Sequence, residues 1–453
     1  VRRFAGALCT CVPLALLLPP IYMTRTFKLL LILSLLGGWH GSAAAQVAVT
    51  SSPRRGSATL TLAEALQRSL RYNPEIAQLG AALADKLGRA IEAEVKLNPA
   101  FKVTGGYTSE REGDGGEVEF ELEQPLRPSD FGLRRTYASA LRAAANLDQQ
   151  ADVLRVLNNT ALVYYRAWAL QERATLLAGA RAQADDVLAT IEEQLAAGQS
   201  NVSQRSVFEA ETARFAAELL AVRGERAGAR AELGRATGIG SAELQLARPS
   251  FGAVPSTVSL AAFAESRSGI RRIALARRQA AAKNLMVARA DAVFPEFAPG
   301  IVTNYGSRND EAGFGVTIAG RIPIWDRNQG ELTRARGALE AADRELESFD
   351  RVGLARTIGA RRQQVLNLQA RADAFRDQVI PAYRAAYDAT LAQFRAGQAT
   401  TLQLFEVQKS LVEAQEKAFE YAVEALSART QLEQLIGGRI EEVRTAAPTR
   451  SSK

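Results

Sequence analysis

Apolar residues recur every three or four positions from Phe131 to Ala196, which is the pattern of one side of an amphipathic α-helix. No proline occurs between Pro128 and Pro249, so nothing in this stretch forces the helix to break. At about 1.5 Å per residue, a helix of roughly 65 residues is about 100 Å long, far longer than a compact domain. Charged side chains are spread along it and exclude a lipid-spanning helix. The pattern therefore predicts a long rod in water, packed against other long helices.

The first 45 residues have the composition of a secretory signal peptide. Basic residues precede a short apolar run, and small residues end at Ala45, as at a signal peptidase site. We expect residues 1–45 to be removed. Met23 is where such a signal normally begins, which leaves open whether 1–22 is an over-extended start.

This predicted signal peptide, called the leader below, also changes the chemistry expected of the rest of the chain. It holds both cysteines and the only histidine, at Cys9, Cys11 and His40. The remainder therefore lacks thiolate and imidazole chemistry and the commonest zinc ligands. The leader carries four of the 56 basic residues and none of the 49 acids, so the net charge falls from +7 to +3. With no catalytic constellation and no nucleic-acid motif, we expect no enzyme activity, no cofactor, no metal site and no nucleic-acid partner.

The order of predicted elements occurs twice along the chain. Gly198 and Gly397 are 199 residues apart, as are Gly238 and Gly437. The segments are a linker at 46–59, a first repeat at 60–258, a second repeat at 259–438 and a flexible tail at 439–453. Pro125 and Pro323 are 198 residues apart and Pro99 and Pro295 are 196 apart, and four landmarks at nearly one offset indicate an internal duplication.

Each repeat is predicted to contain two strands followed by a helical hairpin. The strands are 101–109 and 117–124 in the first repeat and 301–307 and 313–322 in the second, and the hairpins are 130–238 and 326–437. Asp130 is a plausible N-cap of the first rod, and Pro323 and Asp326 open the second. Pro381 should kink the second rod. Two shorter helices together match the length of each rod, so they can flank it.

Strict alternation marks the predicted strands. Apolar Val118, Phe120 and Leu122 alternate with the glutamates Glu117, Glu119, Glu121 and Glu123. A half-buried soluble sheet explains any one such strand. Four strands of about 8–10 residues in a secreted, otherwise helical chain favour a transmembrane β-barrel, apolar outside and polar inside. Since four strands cannot close a barrel and lipid does not tolerate open edges, other copies of the chain must complete it, with the four glutamates lining the lumen.

Several motifs make the chain resemble the TolC family of outer-membrane efflux channels from Leu60 to Gly438. They are the opening Leu60–Ala65, Asn73-Pro74-Glu75, the segment Glu121–Leu126 that contains Pro125, and two Ala-Gly-Gln tips. The segment Pro323–Gly330 looks most like the heavy-metal, CzcC-type branch. The resemblance implies a mainly α fold with a small β part, in which long antiparallel helices form a periplasmic α-barrel. It also implies a homotrimer in outer-membrane lipid, with a twelve-stranded barrel.

The same resemblance implies roles for particular positions. Strand-to-helix elbows fall on Pro125 and Pro323. The periplasmic tips, where an adaptor would dock, fall on Gly198, Gln199, Ser200, Gly397, Gln398, Ala399 and Thr400, although both tip glycines also read as simple helix caps. Family members gate the tunnel with charged residues near the second tip. The acidic positions fall on Gln403 and Glu406 and the arginine on Ala399, so this chain departs from that gate.

The function implied is a passive export duct in the outer membrane of a Gram-negative bacterium. It would work with a periplasmic adaptor and an inner-membrane pump, and the branch resemblance points to heavy-metal cations as cargo. A drug-efflux or type I secretion channel is the alternative within this class. A periplasmic coiled-coil scaffold without a pore is the alternative from another class, and the alternating strands argue against it.

Overall fold

The structure is a computed structural model, and it describes residues 59–110, 113–198, 201–240, 245–267, 269–293, 296–306 and 311–446. The predicted signal peptide and nearly all of the linker lie outside these residues. The helices are α1 (Leu62–Tyr72), α2 (Pro74–Glu94), α3 (Leu133–Ala196), α4 (Val202–Thr237), α5 (Thr257–Ser266), α6 (Ile270–Val293), α7 (Gln329–Ser348), α8 (Arg351–Ala374), α9 (Ile380–Arg395), α10 (Thr401–Ile436) and α11 (Ile440–Ala446). The strands are β1 (Thr59–Leu60), β2 (Ala100–Glu110), β3 (Gly113–Glu123), β4 (Gln245–Leu246), β5 (Phe297–Gly306) and β6 (Glu311–Gly320).

The predicted first rod is helix α3, which is 64 residues long. Its N-cap is Gly132, with a left-handed φ of 110°, and the prediction of Asp130 as N-cap is wrong. Asp130 lies in a 3-10 turn, where its carboxylate accepts the backbone N–H of Arg127 at 2.8 Å and pairs with the guanidinium of Arg134. The carboxylate is therefore used to fold the elbow rather than to cap the rod.

Shorter helices flank α3, as the length argument predicts. Helix α2 lies along its first half, where Lys86 pairs with Asp148 at 2.9 Å. Helix α4 returns along its second half, where Arg205 pairs with Glu192 at 3.4 Å. In the second repeat α6 packs on α7, and α10 packs on α8 and α9. Helices α3 and α10 also pack on each other, which joins the two hairpins into one helical wall, defined here as α4, α3, α10 and α8–α9 in that order.

The second rod is not the single helix that the sequence predicts. It begins at Gln329, after Asn328 in the left-handed region with φ 58°, rather than at Asp326. It stops at Ser348, and Asp350 caps a new helix by accepting the N–H of Gly353. A π turn follows at Phe375–Val379 and leads into α9.

Pro381 gives the π turn its physical reason. Proline has no N–H and its ring crowds the turn before it, so an α-helix cannot pass through it undisturbed. The π turn ends two residues before Pro381 and provides the wider turn at that place. The disturbance predicted at Pro381 is therefore present as a π turn.

The four predicted strands form one antiparallel sheet in the order β2-β3-β5-β6. The central pair β3–β5 joins the two repeats, with Glu117 opposite Gly306 and Glu123 opposite Gly300. Each strand belongs to a long hairpin, and within the described residues β2 and β6 pair on one side only. The element order of the first repeat recurs in the second, which agrees with a duplication.

A cluster of buried apolar residues surrounds Tyr164 and Trp168 on α3. The Tyr164 hydroxyl donates to the carbonyl oxygens of Leu60 at 2.9 Å and Ala247 at 2.7 Å. These bonds fasten the parallel pair β1–β4 to one side of α3. Within the described residues, no helix is both long enough and apolar enough to cross a membrane.

The predicted flexible tail at 439–453 is wrong in its first part. Residues 440–446 form helix α11, and Ile440 and Val443 are buried against Phe263 and Ile436. The alternation of these apolar residues with charged ones is too short to be recognised as a helix from sequence. Residues 447–453 lie outside the described part.

Candidate functional site

One face of the sheet is apolar and exposed. Directly opposed residues of an antiparallel sheet share a face, and the register places Leu122 between Phe101 and Ile301. The exposed members of this face are Phe101, Val103, Tyr107, Val118, Phe120, Leu122, Ile301, Tyr305, Phe314, Val316 and Ile318. Phe101 is 73 % exposed and Ile318 is 79 % exposed. A contiguous apolar surface of this kind is typical of an interaction with lipid or with another protein.

The other face is polar and carries the four glutamates predicted from the alternation. Glu119 lies opposite Thr104 and Asn304, and Glu121 lies opposite Lys102. The Lys102 ammonium nitrogen is 3.7 Å from an oxygen of Glu121. The structure therefore brings Glu117, Glu119, Glu121 and Glu123 together on one face, with Lys102 beside Glu121.

The elbow after β3 keeps the chain in the sheet beyond Pro125. Leu126 exchanges two backbone hydrogen bonds with Phe297, at 2.7 and 2.9 Å. The elbow is then locked to α6, because Asp291 accepts from the Ser129 hydroxyl at 2.9 Å and from the Arg134 guanidinium at 2.8 Å.

The second elbow, at Pro323, is held by shorter-range contacts. Ile324 donates its N–H to the carbonyl of Ile322 at 2.9 Å, and the Gln329 side chain closes the turn onto Arg327 and Trp325. Trp325 itself is 86 % exposed. Both prolines lie between the end of a strand and the start of the next long helix.

The two hairpin tips share one backbone geometry. Gly198 and Gly397 both have φ 71° and lie two residues after the ends of α3 and α9. Around the second tip, the N–H groups of Gln398 and Ala399 donate to the carbonyl of Gln393, at 2.8 and 3.3 Å. Gln199 and Ser200 lie outside the described residues.

The return helix at the second tip opens with a capping box. The Thr400 hydroxyl accepts the N–H of Gln403 at 3.3 Å, and the Gln403 side-chain oxygen accepts the N–H of Thr400 at 2.8 Å. Gln403 therefore has a local structural role, whatever its part in a constriction. Glu406 is exposed one turn further along α10.

A groove in the helical wall is a feature that sequence reasoning missed. Helices α3 and α9 both pack on α10, and between them lies a groove of about 710 Å³. Its apolar lining comes from Leu170 of α3, from Phe375, Val379 and Tyr383 around the π turn, and from Phe419 and Val423 of α10. Pro381 is the sequence signal that could have located it, because the π turn before that residue forms one wall.

Charged residues of both signs also line the groove. Arg173 pairs with Glu416 at 2.7 Å, and Lys417 pairs with Glu420 at 2.6 Å. The hydrogen bond to Glu420, reinforced by the negative charges of Glu420 and Glu424, raises the pKa of Lys417. An apolar floor with charges around it is the usual composition of a small-molecule site.

Comparison with known proteins adds to this geometry. Residues 271–438 match the family model described as outer membrane efflux protein. The chain is 26 % identical over 451 residues to the pyoverdine export outer membrane protein OpmQ of Pseudomonas putida, covering 88 % of this chain and 91 % of the relative. The chain is therefore similar to outer membrane efflux proteins, through residues 271–438 and through a relative that it matches along most of its length. These matches agree with the outer membrane location expected from the sequence.

Other relatives and solved structures agree with this similarity. The cobalt-zinc-cadmium resistance protein CzcC of Cupriavidus metallidurans is 23 % identical over 397 residues, covering 85 % of this chain and 92 % of the relative. Among solved structures, VceC of Vibrio cholerae has a TM-score of 0.68 at 20 % identity, covering 84 % of this chain and 96 % of VceC. CusC has a TM-score of 0.64 at 16 % identity, covering 86 % and 96 %. The predicted fold and the predicted resemblance to this family are thereby confirmed.

Proposed function

We propose that three copies of this chain form a passive export duct that crosses the outer membrane and continues as a helical tunnel in the periplasm. The duct would be the outer membrane component of a tripartite efflux system. A periplasmic adaptor would dock at the Gly198 and Gly397 tips, and an inner-membrane pump would supply the energy.

The four-stranded sheet carries this proposal. Its apolar face is exposed from Phe101 on β2 to Ile318 on β6, so in lipid that face would lie outward and the glutamate face inward. Backbone groups at an open edge have no hydrogen-bond partner in hydrocarbon. Three sheets joined β2 to β6 would satisfy both edges and close a barrel of about twelve strands.

The helical wall supports the same assembly. Each copy contributes four columns of helix, with α4 at one edge and α8–α9 at the other. Three walls joined edge to edge would give a tunnel of twelve columns. A scaffold without a pore would leave the apolar face of the sheet without a purpose.

The cargo that the polar face favours is cationic. Threefold symmetry would place twelve carboxylates of Glu117, Glu119, Glu121 and Glu123 in the lumen, and acidic rings favour cations. The relative CzcC is named for resistance to cobalt, zinc and cadmium. We therefore propose heavy-metal cations as the first candidate cargo.

Organic compounds are the second candidate, because two observations favour them. The relative OpmQ is named for pyoverdine export. The groove between α3 and α9 has the volume and the mixed lining of a small-molecule site.

Disulfide trapping in the oxidising periplasm tests the assembly. The chain after residue 45 has no cysteine, so a pair of introduced cysteines reports on one contact only. Thr104→Cys on β2 is combined with Thr317→Cys on β6 in one double variant. In a second double variant it is combined with Ala319→Cys, which tests another register between the two strands. Within one chain these strands are separated by two others, about 14 Å, which is too far for an intramolecular disulfide.

We expect covalent trimers on a non-reducing denaturing gel from at least one pair, and only monomers from each single-cysteine variant except for chance dimers. Membrane extraction provides a second readout, since a barrel requires detergent and a scaffold is released by salt. A monomer that stays soluble without detergent and forms no crosslink would contradict the proposal.

A further inference from the structure

The groove between α3 and α9 lies on the opposite side of the helical wall from the short elements. On α3, the side chains of Tyr164 and Gln171 form hydrogen bonds with β1 and β4. The groove residue Arg166 comes two positions after Tyr164, and the groove residue Arg173 comes two positions after Gln171. Two positions are about 200° around a helix, so the two sets lie on opposite sides of α3.

Helix α10 gives the same result independently. Arg429 donates to the Gly252 carbonyl at 3.0 Å and pairs with Glu441 of α11 at 2.6 Å. The groove residue Glu420 lies nine positions earlier, which is about half a turn away around the helix axis. In a closed tunnel three sets of β1, β4, α5 and α11 would fit only on the outside, so the groove would open into the lumen.

The rings that line the groove are held in place by the surrounding structure. Phe375 packs edge-on against Tyr421, with ring centroids 5.0 Å apart. Arg371 stacks over the same Tyr421 ring at 3.8 Å and donates to its hydroxyl at 2.6 Å. Phe419 packs edge-on against buried Trp168 at 6.2 Å. The apolar part of the groove is therefore preformed, which lowers the entropic cost of binding a ligand.

Two charges of opposite sign are left over in this lining. Arg173, Lys417, Glu416 and Glu420 satisfy one another in pairs. Within the described part of the chain, neither Arg166 nor Glu424 forms a salt bridge or a hydrogen bond, and both are exposed to the groove. Arg166 belongs to α3 and Glu424 to α10, so a cation and an anion lie on different walls of one aromatic cleft.

We propose that this groove is a binding site in the tunnel for planar aromatic zwitterions, with Arg166 holding the anionic group, Glu424 the cationic group, and Phe375, Tyr383 and Phe419 the ring system. The placement in the lumen rests on the proposed export duct. Aromatic rings also attract cations through their faces, which places the cationic end of the ligand beside Glu424 and Tyr383. Such a site would retain an organic solute briefly as it moves through the duct.

Fluorescence anisotropy with three related dyes tests this site on the purified full-length protein in detergent. Rhodamine B is a zwitterion with a planar ring system, rhodamine 6G is a related cation with an ester in place of the carboxylate, and fluorescein is an anion. We expect rhodamine B to bind most tightly once the binding of each dye to empty micelles has been subtracted. Arg166→Gln and Glu424→Gln should each weaken rhodamine B about three- to fivefold, as expected for losing one exposed ion pair. Arg166→Gln should leave rhodamine 6G unaffected.

Matched controls separate the groove from general charge effects. Arg223→Gln and Glu225→Gln lie on exposed positions of α4 and should change no affinity. Tyr383→Ala should weaken all three dyes. The proposed site would be overturned if the wild type and the Arg166→Gln, Glu424→Gln double variant bound rhodamine B with equal affinity. It would also be overturned if no dye bound above the micelle control.

The trimer state and single-channel conductance of each preparation are measured alongside. Loss of dye binding with normal trimers and normal conductance overturns the groove and leaves the duct standing. Dye binding by a monomeric, non-conducting protein would support the groove and overturn the duct instead.

Discussion

Gly198 and Gly397 lie 199 residues apart in sequence and have the same left-handed φ of 71°. Each donates its N–H to the carbonyl three residues before it, Leu195 or Phe394, at 3.0 Å. A Cβ atom placed at either position would meet no atom within 4 Å. The backbone conformation therefore calls for glycine at both tips, independently of any partner.

Replacing both tip glycines with asparagine should separate docking from capping. Asparagine tolerates the left-handed region, so the hairpins should fold normally while a polar side chain projects from each tip. If the adaptor approaches these tips closely, the resistance of the cells to the exported compound should fall although trimers still assemble. The measurement is the minimal inhibitory concentration together with the trimer level in outer membranes.

A double Gly198→Val, Gly397→Val variant serves as the strained comparison. A β-branched residue at positive φ costs roughly 1–2 kcal/mol at each tip. We expect it to lower tip stability as well as export. Full resistance in the asparagine variant would show that the tips are caps without a docking role.

The capping box at Thr400 and Gln403 makes a second prediction. Gln403→Ala should destabilise the start of α10 by about 1 kcal/mol, whereas Gln403→Glu should keep the box, because a carboxylate oxygen can accept the same N–H. Hydrogen exchange of the amides of residues 401–406 measures this local stability. Equal protection in the two variants would mean that the bonds of the Gln403 side chain contribute nothing.

Much of the architecture could be predicted because the signals are periodic and repeated. The stripe of α3, the alternation of β3 and the spacing of Gly198 and Gly397 each report directly on backbone geometry. The sheet face of Glu117–Glu123 follows from alternation alone, and the register confirms that these residues share it.

The errors occur where a local polar contact decides the structure. Asp130 has the residue type of an N-cap, but its carboxylate binds Arg127 and Arg134, and Gly132 takes the cap. The second rod breaks at Phe349 because the Asp350 carboxylate accepts the N–H of Gly353 and caps a new helix. The apolar pattern continues on both sides of this break, so the pattern alone does not reveal it. The groove needs three helices to be placed in space, so no single stretch of sequence contains it.

A third prediction concerns the buried ion pair between Arg429 and Glu433, whose side chains are 5 % and 2 % exposed. Arg429→Ala should cost about 3–5 kcal/mol, because it leaves the Glu433 charge buried with one partner fewer and frees the Gly252 carbonyl. Arg344→Ala, in the exposed pair with Glu340, should cost less than about 0.5 kcal/mol. Denaturant unfolding of both variants in the same detergent checks this. Similar losses for the two would contradict it.

The pH dependence of the same pair can be predicted from its burial. Burial raises the pKa of Glu433 above 4.5, and the charges of Arg439 and Arg429 offset this only in part. The folded state therefore binds a proton at this site more readily than the unfolded state does. We compare the free energy of unfolding of the wild type with that of Glu433→Gln. The wild-type value, relative to the variant, should rise as the pH falls through the pKa of Glu433 in the folded state towards 4.5, and it should be lowest above that pKa. A difference that stays constant from pH 7 to pH 4.5 would rule out this shift.

The last prediction concerns the charge of the polar sheet face. Changing Glu117, Glu119, Glu121 and Glu123 together to glutamine removes four carboxylates per copy without changing side-chain shape. The cation-over-anion preference of the open duct in planar bilayers should fall, most clearly at low salt, where screening is weak.

Lys102 supplies the matched control with the opposite sign. It lies opposite Glu121, with 3.7 Å between the charged atoms, so Lys102→Gln leaves Glu121 uncompensated and should increase the cation preference. Opposite shifts of the reversal potential in the two variants, measured under one salt gradient, would identify this face as the lining of the pore. If neither variant moves the reversal potential, the glutamates do not face the ion path, and any selectivity must come from the Glu406 end of the duct.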